Sequence, residues 1–189
     1  MTSRLILRRW RESDREPFAR LNGDPTVMRH FVRPLTRDES DALVDRIEAS
    51  FEEDGFGLWA VERRDDGAFL GFTGLAVHAF EAPFTPCVEV GWRFDRIAWG
   101  NGYATEAGRE SLRFGFEEAG LPEILSWTSP LNEPSIAVME RLGMHRDPAD
   151  DFDHPRVPEG HPLRRHVLYR LRREEFTTAR SDASARPSG

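Results

Sequence analysis

The stretch that decides the fold reads Trp-Gly-Asn-Gly-Tyr-Ala-Thr-Glu-Ala, at residues 99–107. It follows residues 87–94, an apolar run that predicts a β-strand, and it leads into residues 104–119, where small and apolar side chains recur at helical spacing. A strand, a Gly-x-Gly loop and a helix therefore follow one another. Glycines let backbone N–H groups turn toward a ligand, and a helix N-terminus carries about half a positive charge. This order of elements predicts a site for a phosphate or pyrophosphate.

The loop does not match the better-known nucleotide-binding motifs. The third glycine of the dinucleotide-binding fingerprint is missing, and the sequence contains no lysine with which to build a P-loop. Taken alone, the loop is equally compatible with an ordinary strand-to-helix turn that contains two glycines.

The rest of the chain alternates strand and helix patterns around this loop. Ser13 and Glu16 have capping-box spacing for a first helix, and Thr36 and Glu39 have it for a second helix that should end at Gly55. The predicted strands cover residues 4–8, 58–62, 68–77, 87–94, 123–128, 144–146 and 165–171, and the predicted helices cover 13–22, 36–55, 104–119 and 134–142. Residues 147–162 are predicted to form a long loop.

Composition limits the class of protein. The chain has 189 residues, 39 % of them hydrophobic, which is enough for one cored domain, predicted here at residues 1–176, and excludes a membrane span, collagen or disorder throughout. Residues 177–189 are almost free of apolar side chains and are predicted to be a disordered tail. The net charge of −7 argues against nucleic acid or an anionic membrane as a partner.

One cysteine, Cys87, cannot form an intramolecular disulfide, and no apolar signal segment precedes Arg4. A reducing, cytoplasmic location is therefore predicted. The oligomeric state, monomer or homodimer, is left open.

Several further motifs occur in a recognisable order. Residues 99–107, followed by Asn132-Glu133-Pro134-Ser135 and by Met139 to Met144, resemble the GNAT acetyltransferases. The opening residues 4–8, residues 24–29 and the strand residues 89–92 are similar to the ribosomal-protein N-acetyltransferase-like branch of that superfamily. The resemblance covers residues 3–172. It implies an α/β fold with a mixed, mostly antiparallel sheet of six to seven strands, splayed central strands and about four flanking helices.

The resemblance also implies acetyl-CoA as the acetyl donor and no metal. The pantetheine arm would lie along residues 92–94, the pyrophosphate would sit on backbone amides of residues 99–104, and Asn132 would bond the cofactor's amide groups or, alternatively, cap a helix. Ile97 departs from the family, which carries Gln or Arg there. The residues predicted to bind the cofactor are Trp92, Arg93, Phe94, Trp99, Gly100, Asn101, Gly102, Tyr103, Ala104, Thr105, Asn132 and Ser135.

The reaction is the attack of a neutral amine on a thioester, and it calls for a base and an acid. Glu89 is the candidate base, acting through water, although a strand carboxylate could instead pair with an arginine. Many family members protonate the leaving thiolate with a tyrosine, but the matching position here is Met139, so Ser135 is the candidate acid; its alternative role is to complete a helix N-terminus. A backbone N–H near Trp92 or Arg93 is the expected oxyanion donor.

The acceptor is predicted to be a primary amine. An α-amine, with a pKa near 8, sheds its proton more readily than a lysine-like amine, which favours a protein or peptide N-terminus. The alternatives are a small-molecule amine (amino sugar, polyamine or antibiotic) and a non-catalytic sensor that binds acyl-CoA. His154, His161 and His166 lack the spacing of a metal site, and their segment is predicted either to be a hydrogen-bonded loop or to form one side of the acceptor cleft.

Overall fold

A computed structural model describes residues 1–176; the predicted disordered tail at 177–189 lies outside the described residues. The strands and helices, in chain order, are β1 (Leu5–Arg8), α1 (Glu12–Gly23), α2 (Arg37–Asp54), β2 (Leu58–Arg63), β3 (Phe69–His78), β4 (Cys87–Phe94), α3 (Tyr103–Arg113), β5 (Glu123–Thr128), α4 (Glu133–Arg141), β6 (His145–Arg146), β7 (Phe152–Asp153) and β8 (Arg165–Arg172). A π-helical turn, Phe114–Glu118, continues α3. Within residues 1–176, no helix has both the length and the apolar character needed to cross a membrane.

The strands form one mixed sheet in the order β1-β2-β3-β4-β5-β8-β6, with β7 paired to β8. All neighbours are antiparallel except β4 and β5. The path contains seven strands, within the expected six to seven, and β7 adds an eighth beside it. The additional strand is β7, which lies in the predicted loop and pairs Phe152 with His166 and Asp153 with Arg165. Two residues are too few to produce a period that a sequence pattern can reveal.

The predicted splay of the central strands is confirmed. In the described residues, β4 and β5 are paired only at Glu89 and Leu125, although β4 stays paired with β3 along its whole length, out to Phe94. Beyond Glu89, one edge of β4 therefore has no strand beside it. The opening between the two strands leaves main-chain groups of β4 free for another partner.

Helices cover both faces of the sheet. Phe72 of β3 packs with Phe18 of α1 and Val44 of α2, whereas Leu75 of the same strand packs with Leu112 of α3 and with Met139 of α4. Side chains alternate between the faces of a strand, so these two cores lie on opposite sides of the sheet. Residues of β4 divide in the same way between the two sides.

The two capping predictions had different outcomes. Thr36 and Glu39 cap α2 as predicted, and that helix ends at Gly55 with a φ of 77°. The first helix begins one residue before Ser13, and its cap is the buried carboxylate of Asp14, which accepts from the Arg11 N–H at 2.8 Å. Asp14 also lies 2.6 Å from Arg8 Nη1, an ion pair that reaches β1 and fixes the position of this carboxylate.

Candidate functional site

A cavity of about 1120 Å³ lies where β4 and β5 separate and where α3 and α4 begin. Four residues between α1 and α2 close one side, namely Val27, Arg29, His30 and Phe31, and Thr2 and Ser3 close another. All the predicted cofactor residues except Asn101 line it: Trp92, Arg93, Phe94, Trp99, Gly100, Gly102, Tyr103, Ala104, Thr105, Asn132 and Ser135. The fold thus brings the Gly-x-Gly loop and the start of α4 to one site, although about 30 residues of sequence separate them.

The loop before α3 owes its shape to its glycines and to side-chain bonds. Gly100 and Gly102 both have a φ of 75°, a left-handed conformation that other residues rarely adopt. Trp99 Nε1 donates to the Phe94 carbonyl at 2.9 Å. The Asn101 side chain donates to the carbonyls of Ala98 and Trp99, at 3.3 and 2.9 Å. Asn101 is therefore placed to hold the loop rather than to line the cavity.

Among residues 1–176, the backbone N–H groups of this loop have no acceptor at ordinary hydrogen-bond geometry. In the described structure, none of the N–H groups of residues 100–105 donates a hydrogen bond, and the first of the following N–H groups to do so belongs to Glu106, which bonds the Gly102 carbonyl at 3.0 Å. The last three of these groups open α3, where the helix supplies no acceptors. Six consecutive donors without an acceptor, at the positive end of a helix, are an arrangement that can bind an anion.

Arginines without a carboxylate partner line the same cavity. Arg29, Arg93, Arg109 and Arg141 line the cavity, and none of them has a carboxylate within 4.0 Å in the described part of the chain. Arginines elsewhere mostly do; Arg8, for example, lies 2.6 Å from Asp14. The protein is acidic overall, so these arginines give the cavity a positive charge that contrasts with the net charge of −7.

Two carboxylates also line the cavity, but both are held by partners of their own. Burial alone would raise the pKa of Glu106, yet hydrogen bonds from Thr2 and Arg4 outweigh it and hold that pKa below its ordinary value. Glu110 is similar, because bonds from Arg113 and the N-terminal amine outweigh the burial that would raise its pKa. The N-terminal residues therefore neutralise acids that would otherwise repel an anion.

The start of α4 places a second set of polar groups in the cavity. Asn132 Oδ1 accepts from the Ser135 N–H at 3.4 Å, so the helix-capping role is present, and Asn132 Nδ2 donates to Thr128 Oγ1 at 2.9 Å. Ser135 lines the cavity, and its hydroxyl has no hydrogen-bond partner among residues 1–176. Met139, one turn further on, is fully buried in the core.

Glu89 lies outside the lining of this cavity. One of its carboxylate oxygens is 2.7 Å from His78 Nε2, a contact without hydrogen-bond geometry. The ring of His78 is edge-on to that of Trp127, with centroids 4.9 Å apart. The partner of Glu89 is thus a histidine rather than the arginine considered from the sequence. The register shows why: His78 faces Cys87 across β3 and β4, two residues from Glu89 on the same face.

The segment after β6 folds onto the sheet through its aromatic rings. Phe152 and His154 join Phe80, Trp127 and His166 in a cluster in which neighbouring ring centroids lie 5.0–6.1 Å apart. Burial, with repulsion from His166, lowers the pKa of His154 to about 4, and burial also lowers the pKa of His166. These rings are therefore neutral near pH 7 and pack as apolar groups.

His161 is not part of this cluster; its Nδ1 accepts from the Leu163 N–H at 3.1 Å. Hydrogen bonds across the loop, from the His154 N–H to the Arg164 carbonyl and from Arg164 to the Val157 carbonyl, agree with the hydrogen-bonded loop that was one of the two sequence predictions. None of the residues of this loop lines the cavity described above. Over residues 1–176, no group of three or more His, Cys, Asp or Glu side chains is arranged to hold a metal ion.

The sequence is similar to that of known proteins. A profile described as "Acetyltransferase (GNAT) domain" matches residues 4–145. The chain is 34 % identical over 186 residues to the FsC-acetyl coenzyme A-N(2)-transacetylase of Aspergillus fumigatus, covering 93 % of this chain and 76 % of that protein.

Two solved structures share the fold. The GNAT-family acetyltransferase of Bacillus anthracis superposes with a TM-score of 0.74 at 24 % identity, over 92 % of this chain and 98 % of that one. The spermidine N-acetyltransferase of Vibrio cholerae, solved with CoA and spermine, superposes with a TM-score of 0.73 at 16 % identity, over 93 % and 99 % of the two chains.

Proposed function

Since this chain belongs to the GNAT acetyltransferase family and is an N-acetyltransferase, we propose that its cavity binds acetyl-CoA and that it acetylates the α-amine of a peptide or protein N-terminus. The ribosomal-protein N-acetyltransferase-like branch and a cytoplasmic location are part of the same proposal.

The run of free N–H groups at residues 100–105 is the observation that carries the cofactor assignment. A pyrophosphate presents several acceptor oxygens and two negative charges, and such a run can meet several of them at once. Arg29, Arg109 and Arg141 surround the same opening and supply charge for the phosphates. The rest of the surface is acidic and would repel the phosphates of CoA, so these arginines are needed to attract them.

The splay of the sheet supports the placement of the pantetheine arm. Past Glu89, the edge of β4 that faces β5 has no strand partner in the described residues. An extended arm with amide groups can pair with such an edge as an added strand would. Trp92, Arg93 and Phe94 line the cavity along this edge, and Asn132 lies where its amide can meet the same arm.

In the proposed reaction, the neutral amine attacks the thioester carbonyl, a backbone N–H near Trp92 or Arg93 stabilises the oxyanion, and the thiolate leaves with a proton. Ser135 is the proposed donor of that proton, because its hydroxyl is free and lines the cavity. Glu89 is the proposed base and must act through water, since it lies outside the cavity lining beside His78.

A site whose base acts only through water favours an acceptor amine of low pKa. About a tenth of an α-amine with pKa near 8 is neutral at pH 7, against about one part in a thousand for a lysine-like amine. The acceptor with the lower pKa therefore needs less help from a base that works at a distance. A small-molecule amine is the second candidate, favoured by the name of the Aspergillus fumigatus relative, which specifies an N(2) acetyl acceptor.

The test is turnover of acetyl-CoA with a panel of amines, followed by free CoA thiol and by the mass of each acetylated product. The panel holds N-terminal peptides, the same peptides with only a lysine side-chain amine free, a polyamine and an amino sugar. Faster turnover of the α-amines supports the proposal. Faster turnover of a polyamine or an ε-amine refutes the acceptor assignment, and CoA binding without turnover of any amine would favour the non-catalytic sensor.

A further inference from the structure

We propose that the Arg93 side chain binds a carboxylate carried by the acceptor, so that the substrate is an amine that also bears an acidic group. The inference rests on the proposed acetyl transfer and specifies its substrate class. It concerns the Arg93 guanidinium, whereas the resemblance to the family concerns only the backbone of this strand.

Arg93 is held rigidly on the face of β4 that looks toward α1 and α2. Its guanidinium carbon lies 4.2 Å from the ring centroid of Phe31 and 5.4 Å from that of Phe72. Its Nη1 donates to Asn22 Oδ1 at 2.5 Å, and Asn22 Nδ2 donates in turn to Ser40 Oγ at 2.8 Å. Asn22 and Ser40 have no exposed surface. The fold thus fixes the orientation of this guanidinium before any ligand arrives.

The charge of Arg93 has no counter-ion. No carboxylate in the described residues lies within 4.0 Å of it, and Nε is buried without a partner. The other arginines with little exposure have acids beside them: Arg8 pairs with Asp14 and Glu62, and Arg170 pairs with Glu123 and Asp150. Burial lowers the pKa of Arg93 to about 10, so the group is still a cation at neutral pH. A partly buried cation without a counter-ion is unfavourable, and an incoming anion relieves that cost.

The free side of the guanidinium has the geometry of a carboxylate site. Asn22 occupies Nη1, which leaves Nε and Nη2, two donors on one edge that match the two oxygens of a carboxylate. Phe31 covers the flat face of the group, not this edge, and its ring is 41 % exposed in the segment between α1 and α2.

The position of Arg93 points to the acceptor rather than to the cofactor. Trp92 and Phe94 pack toward α3, where the free N–H groups lie, and Arg93 faces the other side of the strand. Glu89 is on that same side, four residues away, or roughly 13 Å along a strand. Gly91 lies between them, and a Cβ there would meet only Glu89, at 3.9 Å. An acceptor lying over Gly91 can present its amine toward Glu89 and its acid toward Arg93.

The experiment compares acceptors that differ only in charge. Three pairs are used: a tripeptide as free acid and as C-terminal amide, a Glu-first and a Gln-first tripeptide amide, and 4-aminobutanoate and its amide. For each pair, the ratio of kcat/KM for the acid to that for its neutral partner is measured in the wild type, Arg93→Gln, Arg93→Lys and Arg109→Gln. Arg109→Gln is the matched control, because it removes the same charge from the rim of the same cavity.

The wild type should prefer the acid by about tenfold or more in at least one pair, the range of a charge-assisted hydrogen bond. Arg93→Gln should lower that ratio to near one, Arg93→Lys should give an intermediate ratio, and Arg109→Gln should keep the wild-type ratio. Equal turnover of acid and amide in all three pairs refutes the proposal, as does a preference that survives in Arg93→Gln. Both values in a ratio come from the same variant, so a general loss of activity lowers both and leaves the ratio unchanged.

A binding measurement tests the carboxylate site separately from the proposed acetyl transfer. If no amine is acetylated, calorimetry with CoA and the N-acetylated tripeptide, as acid and as amide, still measures the preference by binding. Tighter binding of the acid that disappears in Arg93→Gln would support the carboxylate site without any turnover, and equal binding of the two would refute it. Arg93→Lys retains the buried charge and serves where Arg93→Gln does not fold.

Discussion

Replacing Gly102 by valine separates the strain of a left-handed backbone from the loss of an anion site. Gly102 has a φ of 75°, and a Cβ placed there would meet only Arg4 Nη2, at 3.8 Å, so the folded state keeps the space for a side chain. The left-handed conformation costs a β-branched residue about 2 kcal/mol, which for a chain of this size lowers the Tm by about 4–8 °C. The side chain would also stand beside the free N–H groups of residues 100–105. Each charge-assisted hydrogen bond lost to a phosphate costs about 1.5–3 kcal/mol, so the affinity for CoA should fall at least about tenfold.

Gly55→Val is the matched control for this change. Gly55 follows α2 with a φ of 77°, nothing lies within 4 Å of its Cβ, and it does not line the cavity. The Tm should fall by a similar amount in both variants. Only Gly102→Val should lose CoA affinity, which calorimetry and the Tm increase at saturating CoA both measure. A Gly102→Val protein that shows the loss of Tm yet binds CoA within twofold of the wild type would refute the placement of the pyrophosphate. Gly100→Ala should show the same effect more weakly.

Three further outcomes are expected. Ser135→Ala should lower kcat by about tenfold to a thousandfold with little change in the KM for acetyl-CoA, as for a lost proton donor; an unchanged kcat, with chemistry shown to be rate-limiting, would leave Ser135 as a helix-capping residue. Glu89→Gln should lower kcat/KM most at neutral pH and recover part of the loss at higher pH, where more amine is neutral; a loss independent of pH would assign Glu89 a structural role. The pKa of His154 is lowered from 6.5 in the unfolded chain to about 4, so its protonation favours unfolding, and the free energy of unfolding should fall by about 1–3 kcal/mol as the pH drops from 6.5 to 4. His154→Phe should flatten that part of a denaturation series, and equal slopes for the two proteins would contradict the burial argument.

The parts of the site that follow from local rules could be predicted from the sequence. Gly100 and Gly102 are needed because the backbone takes a left-handed conformation at both, and the helix that follows begins at Tyr103, one residue before the predicted start. Capping chemistry identified the start of α2 at Thr36 and its end at Gly55. Each of these features depends only on residues that are close together in the chain, so the local sequence pattern is enough to predict it.

Two features of the site were missed, one local and one that depends on long-range pairing. Asn101 lies in the predicted motif, but its side chain bonds the loop carbonyls, a choice that the motif does not express. His78 meets Glu89 only because β3 and β4 pair in one particular register. A hairpin register worked out from the strand boundaries was the one signal that could have suggested this pair.

Arg93 shows the same limit at the candidate acceptor site. All 26 basic residues are arginines, so composition cannot single one of them out. The partners that fix its side chain, Asn22 and Phe31, come from α1 and the segment after it, 71 and 62 positions earlier in the chain. Arg93 is distinguished by having no carboxylate partner. The absence of a partner can be recognised only when all of its neighbours in the folded structure are known. In a protein whose arginines mostly pair with carboxylates, the arginines left unpaired at a cavity are those with charge available for a ligand.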